Sequence, residues 1–228
     1  MYSDITDIFF DLDHTLWDFE KNSALTFQKI LKEKELKVKL DDFLSTYIPI
    51  NLEFWKLYRE DRISKSELRY MRLKKTFDKI DVPVSDALIN GLADDYIEHL
   101  SSFTHLFPHT QDVLEYLSPH YNLHIITNGF QEIQEKKLKG SKIHHYFDHV
   151  INSETAGVKK PHPYIFELAL KKADVAPKKA LMIGDSLEAD IIGAQSAGLH
   201  ALHFNAHKEP VHDICKMIDS LIEIKSIL

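Results

Sequence analysis

One cysteine, Cys215, is all the chain has, so no internal disulfide can form. With no catalytic His/Cys signature around it, this thiol reads as a small apolar side chain in a reducing compartment. Clustered basic charge is missing too. Acidic residues outnumber Lys and Arg, giving a formal net charge of −7, and this argues against a surface for a nucleic acid polymer or an anionic membrane, both of which need grouped cations to displace counterions. No apolar run approaches the ~18 residues that span a bilayer. The opening Met-Tyr-Ser-Asp-Ile-Thr-Asp has neither the basic nor the long apolar region of a secretory leader, so the expected location is cytoplasmic. Internal repeats, low-complexity tracts and Gly/Ser linkers are absent as well. What is present is an ordinary globular composition over 228 residues, enough for one domain or for a domain carrying a smaller inserted one. The expected partner is a small molecule, with the protein a monomer or homodimer.

Hydrophobic spacing divides the chain. Ile8 to Leu12 is a short apolar run ending in acids, the pattern of a buried parallel strand that opens into a loop. From about Asn22 to Leu100 the apolar residues recur at three- and four-residue steps, as in Leu25, Ile30 and Leu31, then Phe43, Leu44 and Tyr47, then Leu68, Met71, Leu73 and Phe77. That spacing predicts amphipathic helices. After Phe107-Pro108 short apolar runs return, at Leu123–Thr127, Val150–Ile151, Ala180–Ile183 and Ala201–Phe204, each followed by a helical segment. Strands alternating with helices predict an α/β fold with a doubly wound parallel sheet. Residues 1–16 and 106–228 are therefore expected to form the sheet domain, and 17–105 an all-helical insertion just after the first strand.

Ligands of open parallel sheets sit beyond the carboxyl ends of the strands. Past the first run come Asp11, Asp13, His14 and Thr15; past the second, Thr127, Asn128 and Gly129; past the strand ending near Ile183, Gly184, Asp185 and Ser186, with Asp190 on the helix that follows. Lys159, Lys160 and Pro161 follow the third strand in a loop. Two carboxylates as close as Asp11 and Asp13 repel unless a cation or proton intervenes. With Asp185 as a third oxygen ligand, the set suits Mg²⁺. One aspartate could then approach a phosphoryl group as nucleophile while the other handles protons. Lys160 offers an ammonium, and Thr127 and Asn128 a hydroxyl and an amide, for the charge on the phosphoryl oxygens.

The set Asp11-Leu12-Asp13-His14-Thr15, Ile126-Thr127-Asn128-Gly129, Val158-Lys159-Lys160-Pro161 and Gly184-Asp185-Ser186-Leu187-Glu188-Ala189-Asp190 resembles, in order, the four motifs of the haloacid dehalogenase superfamily, over about Asp7 to Phe204. The helical stretch is similar to that superfamily's cap inserted after strand one. The resemblance implies Asp11 as nucleophile and Asp13 as the acid that protonates the leaving alkoxide and then activates water. It implies Thr127 on a phosphoryl oxygen and Lys160, directly before the proline, neutralising charge near Asp11. Asp11, Asp185 and the backbone carbonyl of Asp13 would hold Mg²⁺, with Asp190 supporting the site through water or Lys160. The stretch Ile126-Thr127-Asn128-Gly129-Phe130-Gln131, with Gly157 to Pro161 and Ile165-Phe166, most resembles the bacterial pyrimidine 5′-nucleotidase group. That closer resemblance implies a nucleoside 5′-monophosphate as substrate.

Plainer readings exist for each part. Asp11 and Asp13 could form a solvated acidic turn, Asp185 and Asp190 could favour a helix N-terminus, and Thr127-Asn128 could be a simple turn. Four such features in order at strand ends outweigh them. The fourteen histidines, including His105 with His109 and His144 with His145, lack the acid-backed spacing of a zinc site and read as solvated or core residues. Phe54, Trp55 and Tyr58 read as helix packing, and Trp17, Asp18 and Phe19 as part of a lid hinge. A cap of this kind is expected to close over the site and exclude water. Alternatives that keep the aspartyl-phosphate are a phosphomutase resembling β-phosphoglucomutase and a phosphatase for a sugar phosphate or other metabolite. Dehalogenation does not need Asp13, and a non-catalytic binding module would not need every matched position filled.

Overall fold

Ile8, Phe9 and Phe10 are fully buried because they occupy a strand with neighbours on both edges and packed layers on both faces, so no position alternates to solvent. The computed structural model describes residues 2–228. It contains a six-stranded sheet in the order β3-β2-β1-β4-β5-β6, built from β1 (Asp7–Phe10), β2 (Asn122–Thr127), β3 (His149–Asn152), β4 (Ala180–Gly184), β5 (His200–Phe204) and β6 (Lys216–Ile218). Every pairing is parallel, so every carboxyl end lies on one edge. β1 sits between β2 and β4, and the order reverses there, which opens a crevice at its end.

The chain divides into two compact units: the segment up to Phe19 with Thr104–Leu228, and Glu20–Phe103. Helices α1 (Phe19–Glu33), α2 (Leu40–Arg59), α3 (Lys65–Lys79) and α4 (Asp86–Leu100) lie between the two parts of the first unit. Sequence sets their ends. Ser64 and Glu67 form a reciprocal capping box before α3, and the Ser85 side chain accepts the Leu88 N–H before α4. Pro49 lies inside α2, where the missing N–H forfeits one bond of the helix ladder. The interior of this unit is aromatic, with Phe27, Phe43, Tyr47, Phe77 and Tyr96 all buried.

In the α/β unit the crossovers carry α5 (Thr110–Leu117), α6 (Gln131–Gly140), α7 (Ser153–Ala156), α8 (Pro163–Ala173) and α9 (Gly193–Ser196). One core layer joins Phe9, Ile126, Ile151 and Met182 of the strands to Ile165, Phe166 and Leu170 of α8. The segments on either side of the insertion pair with each other: Asp18 N–H donates to His105 O at 3.1 Å and Phe107 N–H to Leu16 O at 2.9 Å. Trp17, expected in a hinge, is fully buried within that pairing.

The sheet departs from expectation at its far end. A helix is predicted after Ala201–Phe204, but β6 forms there instead and a 3₁₀ segment, Leu221–Ser226, follows it. The open edge of β5 takes Lys216–Ile218 as a partner. No helix among the described residues is long and apolar enough to cross a membrane.

Candidate active site

The carboxyl end of β1 delivers Asp11. Its N–H donates to Ile183 O at 2.9 Å, extending the β1–β4 pairing one step and fixing the aspartate against the end of β4. Gly184 closes β4, and a π-helical segment, Leu187–Ile192, follows. Such wide turns recur at functional sites. A Cβ at Gly184 would overlap the Asp190 carboxylate, so the glycine supplies the space that lets Asp190 fold back on the strand end. There Asp190 Oδ2 accepts the Ser186 N–H at 3.0 Å.

Lys160 enters the same space from the loop after α7. Its Nζ donates to Asp11 Oδ1 at 2.7 Å and to Ile126 O at 2.7 Å, and pairs with Asp190 Oδ1 at 2.6 Å. Two hydrogen-bond acceptors and the charge of a second carboxylate thus surround an ammonium that is buried. Lys159 is only half-buried, so of the two lysines it is Lys160 that the fold takes inside. Asn128, expected to offer its amide to a phosphoryl oxygen, is tied to the Lys160 backbone. Its carboxamide donates to Lys160 O at 3.0 Å and accepts Lys160 N–H at 2.8 Å. The Lys160 backbone lies in a loop with no ladder to satisfy it, and the asparagine supplies both partners.

Asp185 is held on three sides. Its Oδ1 accepts from Thr15 Oγ1 at 3.2 Å, its Oδ2 lies 3.1 Å from His207 Nε2, and its backbone carbonyl lies 2.8 Å from His203 Nε2. Asp11, Asp185 and Asp190 each present an oxygen within 4.8 Å of the other two. Asp13 stands apart from this trio: its carboxylate turns to α6, where Lys137 Nζ donates to Oδ1 at 2.5 Å and Gln134 Nε2 to Oδ2 at 3.2 Å. Thr127 is buried at the end of β2 and accepts the Gly129 N–H on Oγ1 at 3.0 Å.

Three buried carboxylates around one ammonium leave an excess of negative charge. Burial pushes the Asp11 carboxyl well above the usual carboxylate range; Lys160 offsets part of this, and Asp190 and Asp185 add to it. Asp190 is also raised, by burial first, with Lys160 opposing and Asp185 reinforcing. Burial alone would lower Lys160, but Asp11 and Asp190 outweigh it and hold the ammonium above the ordinary lysine range. Burial would likewise raise Asp185, yet the His207 hydrogen bond, then the fields of His14, His207 and Lys160, bring it below. A divalent cation among these oxygens would favour the ionised form of Asp11, which burial first and the neighbouring carboxylates second disfavour. The donor set fits such an ion: Asp11, Asp185 and Asp190 all offer hard carboxylate oxygens.

The fold brings Asp11, Asp185, Asp190 and Lys160 together, with Thr127 and Asn128 at the neighbouring strand end. Sequence reasoning missed His203, His207, Lys137 and Gln134. The first two had a signal: they lie at and just past the end of the Ala201–Phe204 run, where the strand-end rule applies as it does to the other strands. The last two had none, since polar residues three apart on a helix read as a solvated face.

Residues 8–204 match the family model of haloacid dehalogenase-like hydrolases. The pyrimidine 5′-nucleotidase YjjG of Escherichia coli is 30% identical over 97% of this chain and 96% of its own. The glyceraldehyde 3-phosphate phosphatase of Methanothermobacter thermautotrophicus is 32% identical over 97% and 98%. Among solved structures, the HAD-hydrolase YfnB from Bacillus subtilis, described as bound to magnesium, is 26% identical and superposes with a TM-score of 0.88 over 98% of both chains. A family match over this span, with relatives at 30% identity along nearly the full length, makes the chain a member of the haloacid dehalogenase-like hydrolases.

Proposed function

We propose that the protein is a Mg²⁺-dependent phosphatase that hydrolyses a nucleoside 5′-monophosphate through an aspartyl-phosphate on Asp11. The observation that carries this reading is the Lys160 ammonium between Asp11 and Asp190, with Asp185 at the same strand edge. Asp11, Asp185 and the Asp13 carbonyl would hold Mg²⁺, which when bound supplies charge neutralisation and lets an anionic phosphoryl group approach a carboxylate.

An Asp11 carboxylate oxygen forms a bond to phosphorus as the bond to the ester oxygen breaks, and the departing alkoxide takes its proton from the Asp13 carboxyl. Asp13, now a carboxylate, takes a proton from water. That water's oxygen bonds to phosphorus as the Asp11–phosphorus bond breaks, releasing inorganic phosphate and returning Asp13 to its acid form. Lys160 stabilises charge on Asp11 and on the phosphoryl oxygens, Thr127 donates its hydroxyl to one of them, and Asn128 fixes the Lys160 backbone. Asp190 orients Lys160. The helical insertion, 17–105, is read as the superfamily's cap.

The nucleotide assignment draws on the motif text around Ile126–Gln131 and on similarity to relatives named for pyrimidine 5′-nucleotidase activity, from Escherichia coli and, at 32% identity, Streptococcus pneumoniae. A second reading, a phosphatase for a three-carbon sugar phosphate, is favoured by the equal similarity to the glyceraldehyde 3-phosphate enzyme. Phosphate release from a panel of nucleoside monophosphates and sugar phosphates separates the two. The mechanism is tested by Asp11→Asn, expected to abolish Mg²⁺-dependent hydrolysis of an aryl phosphate. Substantial turnover by that variant sinks it.

A further inference from the structure

Both oxygens of Asp13 are held by one face of α6. Lys137 Nζ sits 2.5 Å from Oδ1 and Gln134 Nε2 3.2 Å from Oδ2. Both α6 side chains are buried, each 2% exposed, a costly placement for an ammonium and a carboxamide unless their polar atoms are partnered. The lysine is further fixed by aromatic faces. Its Nζ lies 4.3 Å from the centre of the Trp17 ring and 5.3 Å from that of Phe19, a cation–π placement that limits where the ammonium can point. Room for the carboxamide is provided as well: a Cβ on Gly129 would run into the Gln134 side-chain amide and lie 3.3 Å from Asp13 Oδ2. Gly129 is therefore glycine for space, and the space is filled by the group that reaches Asp13.

We infer that Lys137 and Gln134 are positioning residues for the proton transfers of Asp13, holding its carboxyl group in the orientation that serves the leaving oxygen and then the attacking water. The inference rests on Asp13 being the proton-handling group. Neither α6 residue need touch the substrate; each acts through Asp13. Gln134 Oε1 is buried with no hydrogen-bond partner among the described residues.

A positioning role leaves a signature that simple support of the fold does not. An alkyl phosphate needs a proton delivered to its leaving oxygen, whereas p-nitrophenolate leaves without one. Lys137→Met is expected to lower kcat/KM for an alkyl phosphate monoester about 10²-fold, the scale of a general-acid contribution, and to leave kcat/KM for p-nitrophenyl phosphate within about threefold of wild type, a shift of less than 1 kcal/mol. Lys137→Arg, which keeps a cation, is expected to restore most of the alkyl-ester activity. Gln134→Leu should show the same selectivity with a smaller loss, and stands in for Lys137→Met if that variant does not fold. Equal losses on both esters, or no loss on either, would overturn the inference. Asp13→Asn measured alongside separates the two levels. Leaving-group dependence in Asp13→Asn but not in the α6 variants defeats the positioning role alone; its absence from Asp13→Asn defeats the acid–base reading and the positioning role with it.

Discussion

The interiors of the two units bury different chemistry, and they should respond differently to damage. In the helical unit Phe27 stacks on Tyr96 with ring centres 4.6 Å apart, meets Tyr47 edge-on at 4.6 Å and Phe43 at 4.8 Å, and Phe43 continues to Phe77 at 5.4 Å. Its buried guanidinium, Arg72, donates to Asn51 Oδ1 at 3.0 Å and lies 4.9 Å from the Tyr96 ring centre. The α/β unit instead buries Asp11, Lys160, Asp185, Asp190 and Lys137 along one edge of its sheet. Aromatic area is lost in proportion to what is removed. A buried charge network is not, because deleting one member leaves its partners desolvated and unpaired.

The sharpest way to break that contrast is Lys160→Met. Asp11 and Asp190 would then lack the cation they share. Phosphate release is expected to fall roughly 10²–10³-fold, the scale for removing one preorganised electrostatic contact. The measurement is steady-state kinetics on protein whose circular dichroism matches wild type. A loss smaller than tenfold would show that the network tolerates deletion as gradually as an apolar core does.

In the helical unit the matching experiment is Phe27→Ala. It removes a ring that touches three others and is expected to cost about 3–5 kcal/mol of stability in urea denaturation, with Phe27→Leu costing less because it leaves a smaller cavity. If the leucine variant lost as much as the alanine one, ring geometry rather than buried volume would govern this interior.

The same contrast explains which parts could be read before folding. Ile8–Leu12 and Ala180–Ile183 announce strands because continuous apolar runs suit a sheet covered on both faces, and polar residues at their ends mark the crevice. Asp11, Thr127 and Asp185 follow from that rule alone. The helical spacing from Asn22 to Leu100 is legible for the same reason, since it records one buried stripe per helix. Lys137 and Gln134 are not legible. Their burial depends on Asp13 and Trp17, more than a hundred positions away, and the spacing within α6 carries no trace of it. The segment after Phe204 misleads for a related reason: Ile214, Met217, Ile218, Leu221 and Ile222 have helix-like spacing, but the open edge of β5 offers ladder hydrogen bonds, and Lys216–Ile218 takes them.

A third buried charge site, far from the crevice, gives the smallest effect and the cleanest sign. At the start of the strands His124 Nε2 lies 3.0 Å from Asp7 Oδ1, which also accepts from Asn122 at 3.2 Å, while Thr6 donates to Oδ2 at 2.6 Å. The imidazole is buried, and its Nδ1 has no partner among the described residues. Protonation would place an N–H there with no acceptor. Burial accordingly pulls the His124 pKa below its ordinary value of 6.5; the Asp7 hydrogen bond and charge oppose this, His149 adds to it, and Asp148 opposes it. Because the folded value is the lower one, the unfolded chain binds the extra proton between the two, and stability rises with pH across that interval. The contribution is complete above 6.5 and is lost as the pH falls through 6.5 toward the folded value. His124→Gln, which can still donate to Asp7, is expected to flatten this part of the stability–pH curve relative to wild type. Denaturant midpoints taken at intervals from neutral to mildly acid pH measure it, and parallel curves for the two proteins would mean that Asp7 holds the imidazolium as well as it holds the neutral ring.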